Sequence, residues 1–249
     1  MITPRSETLL IIGAAGQIFR EIIPLISGFD RIILVDMVSQ KKILDRLSAD
    51  LVISRITVSV ITLNDLGIDS IDLMLDYIEG ETLISSLLYG SSFTGSSLGV
   101  GEYSSQEIYN VNCWAFEIMV RSLIAGRFPL ERVVAISSIY GKYPIKPSLY
   151  LGTTMINPIA YGASKASLNQ TIRYLSAEYG NLGVRVNGIS LGGIYRGQPE
   201  SFVKKYSENT CLKRMAEASD LLGPVNFLLS EDSSYVSGQM LEVDGGWFG

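Results

Sequence analysis

Histidine is absent from the 249 residues. That excludes Ser–His triads and the commonest zinc sites. Any acid–base catalyst working near neutral pH must then be a tuned Tyr, Lys, Cys or carboxylate. Cysteine is scarce too. Cys113 and Cys211 stand alone with no paired spacing, so no disulfide framework is expected, only reduced packing thiols in a cytoplasmic protein. There is no basic run and the net charge is −5, which argues against nucleic acid or an anionic membrane surface as partner. No apolar run approaches the roughly 18 residues of a membrane span, and Met1 to Thr8 lacks the shape of a signal peptide. What is plentiful is apolar side chain. Hydrophobic residues are 47% and charged residues 18%, enough to bury the core of one large α/β domain over residues 1–249.

Thr8-Leu9-Leu10-Ile11-Ile12 is a short apolar run followed by Gly13-Ala14-Ala15-Gly16-Gln17-Ile18-Phe19. Apolar residues then recur at helical spacing up to Gly28, and Arg31 to Asp36 reads as a second buried strand. Strand, glycine turn, helix and strand ending in an acid is the opening of a dinucleotide-binding unit. Gly13 and Gly16 let the backbone approach a pyrophosphate, and the helix start at Gln17 and Ile18 favours its charge. Asp36 lies 23 residues after Gly13, where a carboxylate can accept from ribose hydroxyls and repel a 2′-phosphate. NAD is therefore expected in preference to NADP. Phe19 breaks the pattern, because it replaces the third glycine that permits close helix–sheet packing. Its ring must push the helix outward or project towards the cofactor groove.

Further along, 39–51 reads as a helix, 55–63 as a strand, and a helix capped by Asn64-Asp65 runs to about Glu79. Strand four is expected over 82–88. Residues 89–103, with four glycines and four serines, form a loop. A helix capped by Ser104 runs through about Ala125, strand five covers 132–138, and three prolines make 139–158 irregular. Tyr161 opens a helix to about Tyr179. Strand six follows over 184–190, helical segments lie within 191–230, and 240–243 is a short last strand. The alternation predicts a Rossmann-type doubly wound parallel sheet of about seven strands with helices on both faces. Tyr161 and Lys165 are four apart at the start of their helix, so they share a face about one turn apart. A cation beside a phenol favours the phenolate.

In order and spacing, the chain resembles the short-chain dehydrogenase/reductase family from Leu9 to Trp247. The anchors are Val111-Asn112, Ile136-Ser137-Ser138, Tyr161 with Lys165, Val184-Arg185-Val186-Asn187, Ser237-Gly238-Gln239 and Val243-Asp244-Gly245-Gly246. The resemblance implies a catalytic tetrad of Asn112, Ser138, Tyr161 and Lys165. Tyr161 would be the general acid/base. Lys165 would lower its pKa and bind the nicotinamide ribose. Ser138 would hold the substrate oxygen, and Asn112 would place a water behind Lys165. Cofactor contacts carry over to Gly13, Gly16, Gln17, Ile18, Asp36, Lys165 and Ile194. The family's dimers and tetramers imply a homodimer or homotetramer.

The stretch from Ser138 to Tyr161 is long for the family. With Gln198-Pro199-Glu200-Ser201-Phe202 and Lys204-Lys205-Tyr206, it is similar to flagellin-modification and surface-polysaccharide oxidoreductases. This implies a phosphorylated, nucleotide-linked or amino sugar as substrate, with Tyr140, Tyr150, Thr153, Thr154, Asn157, Tyr195 and Gln198 as candidate contacts. Departures accompany the resemblance. The family's Asn-Asn-Ala-Gly stretch aligns with Ser85-Ser86-Leu87-Leu88, its adenine-side Asp with Thr62, and its Pro-Gly with Leu191-Gly192. A second reading follows from them: a non-catalytic binding or assembly protein of the same fold, with Phe19 filling the nucleotide groove.

Overall fold

The computed structural model describes residues 7–65, 68–78, 83–93, 105–126, 128–155 and 157–248. Its strands are β1 (Thr8–Ile12), β2 (Arg31–Met37), β3 (Thr57–Leu63), β4 (Ser86–Tyr89), β5 (Arg132–Ser138), β6 (Arg185–Leu191) and β7 (Met240–Val243). They form a seven-stranded sheet in the order β3-β2-β1-β4-β5-β6-β7, with every pairing parallel. The helices are α1 (Gln17–Ile22), α2 (Lys41–Ile53), α3 (Ile68–Ile78), α4 (Ser105–Tyr109), α5 (Ala115–Ala125), α6 (Pro147–Tyr150), α7 (Ile159–Tyr179), α8 (Glu200–Glu208) and α9 (Leu222–Leu229). A π-turn, Asn110–Trp114, joins α4 to α5.

Strands buried on both faces divide their side chains alternately. Leu9, Ile11, Ile32 and Leu34 pack with α1, α2 and α9, whereas Leu10, Ile12, Ile33 and Val35 pack with α3, α5 and α7. The strand order reverses between β1 and β4, and such a switch opens a crevice at the carboxyl ends of the strands. A third, smaller core of Ile139, Leu149, Phe202, Tyr206, Met215 and Trp247 lies beyond that end.

Several boundaries differ from expectation. The first helix stops at Ile22 and tightens into a 3-10 turn over Ile23–Leu25, because Pro24 cannot continue an α-helix. The third strand begins at Thr57, after Arg55 takes a left-handed turn at φ 64°. Strand four is Ser86–Tyr89, later than read. The expected ends at Glu79 and Thr82, the cap at Ser104 and most of the 89–103 loop lie outside the described residues. Among the described residues, no helix is long and apolar enough to cross a membrane.

Candidate active site

Pro158 is held at φ −69°, ψ 150° and starts α7 without a side-chain cap. Two turns of that helix carry Tyr161 and Lys165. Lys165 is 1% exposed, and its Nζ donates to the Ile136 carbonyl of β5 at 3.0 Å. It lies 5.8 Å from the centre of the Tyr161 ring. Burial lowers the amine's pKa to about 8. Burial also pushes the Tyr161 phenol up, opposed by hydrogen bonds from Ser138 and Ser92 and by the charge of Arg196. This corrects the expected division of labour. The Lys165 ammonium is turned onto a strand carbonyl, because a buried donor must be satisfied. Two serines and an arginine are what favour the phenolate.

Ser138 ends β5, is buried, and accepts from Tyr140 N at 3.2 Å. Asn112 sits in the π-turn and is fully buried. Its Nδ2 donates to Phe93 O and Ser164 Oγ, both at 2.9 Å, and its Oδ1 accepts from Phe93 N at 2.7 Å. Ser164 Oγ in turn donates to Tyr161 O at 2.8 Å. The side-chain amide of Asn112 is therefore taken up in tying the chain after β4 to α7.

On the cofactor side, Gly13 has φ +79°, and a Cβ there would lie 2.8 Å from Ser91 N. Both facts demand glycine. Gly13 N and Ala14 N donate to Val35 O, and Gly16 N donates to Gly13 O. Ala15 N donates to Asp36 Oδ2 at 2.9 Å, and Met37 N to Asp36 Oδ1 at 2.7 Å. Asp36 is thus a buried clasp between β2 and the glycine turn. Burial raises its pKa, and the two backbone bonds pull the other way. A carboxylate oxygen holding one bond keeps a lone pair for another. The first N–H groups of α1, at Gln17 and Ile18, have no partner inside the helix. They border a groove of about 300 Å³ lined also by Ile194, Tyr195 and Ala218. A dinucleotide's pyrophosphate fits that donor set.

Phe19 does not enter this groove. It is 3% exposed in the core between α1 and the sheet. A Cβ on Gly90 would lie 2.1 Å from its Cε2. The ring thus occupies space that a side chain after β4 would need. The bulk added on the helix is offset by a glycine on the strand.

Two other departures change place. Ser85 precedes β4 at the amino end of the sheet, where its Oγ donates to Glu7 Oε2 at 2.6 Å and accepts from Thr8 N at 3.1 Å. The residues at the carboxyl end of β4 are Gly90, Ser91 and Ser92. Thr62 lies within β3, paired with Asp36, so the polar residues after that strand are Asn64 and Asp65. After β6, a Cβ on Gly193 would lie 2.8 Å from the Tyr206 ring, which packs this turn against the third core.

Ser138 and Tyr161 open on a cavity of about 280 Å³. Of the candidate sugar contacts, Tyr140, Tyr150, Asn157 and Gln198 line it. Thr153 is used in its own turn, donating to Tyr150 O at 2.9 Å. Thr154 is exposed and outside the cavity, and Tyr195 borders the α1 groove instead. Arg196, Met155 and Phe202 also line the cavity and were not anticipated. The charge at Arg196, between two chosen residues, was the available signal. A larger hollow of about 580 Å³ lies against β7 and Cys211, but none of Ser138, Tyr161 or Lys165 lines it.

The sequence profile of the family described as enoyl-(acyl carrier protein) reductase matches residues 89–248. Post-translational flagellin modification protein A of Campylobacter coli is 38% identical over 115 residues, 46% of this chain and 45% of that protein. Glucose 1-dehydrogenase of Gluconobacter oxydans is 36% identical over 95 residues, 35% of each. The match thus spans less than half the length of these two relatives. A crystal structure of a short chain dehydrogenase from Leptospira borgpetersenii, with bound NAD+, superposes with a TM-score of 0.78 at 25% identity, covering 99% of this chain and 96% of that one. Strand order, profile and these likenesses agree: the chain belongs to the short-chain dehydrogenase/reductase family of oxidoreductases.

Proposed function

We propose that the protein is an NAD(H)-dependent oxidoreductase acting on a hydroxyl or carbonyl of a sugar-derived substrate. The observation that carries this is the meeting of the Ser138 and Tyr161 hydroxyls at one cavity, one helical turn from a buried Lys165. The nicotinamide, when bound, accepts or supplies the hydride. Tyr161 Oη exchanges the proton with the substrate oxygen, and Ser138 Oγ holds that oxygen beside it. Lys165 uses one of its three donors on Ile136 O, which leaves others for a ribose hydroxyl. With a pKa of about 8, its amine can give or take a proton near neutrality. Gln17 and Ile18 N–H receive the pyrophosphate. Asp36 opposes a 2′-phosphate by charge, which favours NAD over NADP.

A sugar-type substrate is supported by the cavity wall. The Tyr140 and Tyr150 hydroxyls are 2.9 Å apart, and Asn157 and Gln198 add amides. It is supported also by the likeness to a flagellin modification protein and a glucose dehydrogenase. A role in flagellin glycan or surface polysaccharide synthesis in the cytoplasm follows from this reading, as do a single domain over 1–249 and a homodimer or homotetramer.

Titration with NADH tests the cofactor. Binding is expected, and none at millimolar NADH overturns the reading in favour of a non-catalytic binding or assembly role. Tyr161→Phe should lower turnover by about 10²-fold or more, since it removes the acid/base group, and leave NADH affinity nearly unchanged. Retained turnover would remove Tyr161 from its role.

A further inference from the structure

The cavity at Ser138 and Tyr161 is lined by two groups whose binding capacity is unfilled within the chain, Arg196, an exposed residue at its edge, and Asn157. Arg196 is the one charged side chain among its described lining residues. Its guanidinium has no hydrogen-bond or ion-pair partner among the described residues; only its backbone N–H is engaged, with Gln198 Oε1. Asn157 Oδ1 is buried and has no partner either. An orphaned buried acceptor is costly unless something donates to it. A guanidinium is a planar fork that matches carboxylate or phosphate oxygens. No carboxylate lines the cavity to neutralise it. At about 280 Å³, the cavity has room for one sugar-sized group and sits at the small end of ligand pockets, which run from about 300 Å³ upward.

We propose that the substrate is a single polyhydroxy molecule carrying a carboxylate or phosphate, with Arg196 binding the anionic group and Asn157 Oδ1 accepting from a substrate hydroxyl. This rests on the oxidoreductase reading for the placement of the reacting carbon. It adds the charge and size of the substrate, and it is read by binding, not by turnover. Arg196 also bears on Tyr161, whose phenolate its charge favours, so the anion and the reacting oxygen belong to one cavity.

The test compares gluconate and glucose 6-phosphate, each against neutral glucose, binding to the NAD+-loaded protein by calorimetry. At least one anionic probe should bind about tenfold or more tightly than glucose, as for a charge-assisted fork. Added salt should erode that advantage. In Arg196→Gln the advantage should collapse to within about twofold, while Arg196→Lys keeps part of it. Asn157→Ala should weaken all three probes alike. Glucose binding as tightly as both anions, neither anion binding, or an anion preference that survives Arg196→Gln would each overturn the proposal. Tyr161→Phe separates the two readings. If turnover survives in that variant while Arg196→Gln loses the anion preference, the catalytic assignment fails and this one stands.

Discussion

Lys165 carries two demands that pull against each other. Its amine is sealed at 1% exposure beside a strand carbonyl, yet its proposed work needs charge. The ordinary value of 10.5 falls to about 8 in the fold. Between those values the unfolded chain holds a proton that the folded chain has released, so stability rises with pH across that window. Below pH 8 both states hold the proton and burial of the ammonium costs its full amount, on the order of 3 kcal/mol. Lys165→Met should therefore be most favourable relative to the parent near pH 7. That relative gain should shrink by pH 9.5 in urea melts, and a pH-independent difference would refute the linkage. Tyr161 and Lys165 were legible as a pair because helical spacing fixes a shared face. The direction of the amine was not, since it depends on which carbonyl β5 presents.

At the scale of elements, the apolar runs located the strands but not all of their ends. Strand four was read over 82–88, when its amino end is Ser86 and its carboxyl end is Tyr89. That shift matched the family's Asn-Asn-Ala-Gly stretch to Ser85 and Ser86 at the amino end of the strand, when the residues at its carboxyl end are Gly90, Ser91 and Ser92. Short strands buried on both faces have no alternation to fix their register. Phe19 was read as an obstruction for a related reason. Its partner, Gly90, is distant in sequence and close only across the packed layer. Phe19→Gly should cost about 3–5 kcal/mol, as removal of a buried phenyl does, without improving NADH affinity. Gly90→Ala should also destabilise, because its Cβ would fall 2.1 Å from the ring. The two changes together should cost less than their sum, a coupling visible in a double-mutant cycle. Strict additivity would show that the ring has no need of that space.

At the scale of the molecule, among the described residues two cores flank the sheet and a third lies beyond the strand ends. The first two were legible because alternating strands and helices imply them. The third was not. It gathers the irregular 139–158 stretch and the 247–248 end, which have no periodicity, with α8, whose Phe202 and Tyr206 recur at helical spacing but do not by themselves say what they pack against. Trp247 is buried there, its ring centre 4.6 Å from that of Tyr206 and tilted against it, and Tyr206 OH accepts from Gly193 N beside the cavity. The C-terminal apolar pair thus divides, with Trp247 serving packing within the chain and Phe248 half exposed. Trp247→Ala should lower stability by about 3–5 kcal/mol in urea melts. It should weaken substrate binding more than NADH binding, because this core forms a wall of the cavity and stands apart from the α1 groove. Equal weakening of both would indicate a general loosening instead.

The pairing of Phe19 with Gly90 also constrains how such a chain can change by single substitutions. Moving from a glycine on the helix and a side chain on the strand to the present arrangement has two routes. One passes through a ring and a Cβ in the same space. The other passes through two glycines and a void, which a core tolerates at a cost that grows with the void's volume. Only the second route keeps the sheet and helix in place throughout. In this backbone a ring at 19 and a Cβ at 90 exclude each other, so a chain that exchanged one for the other by single steps would meet the void before the ring.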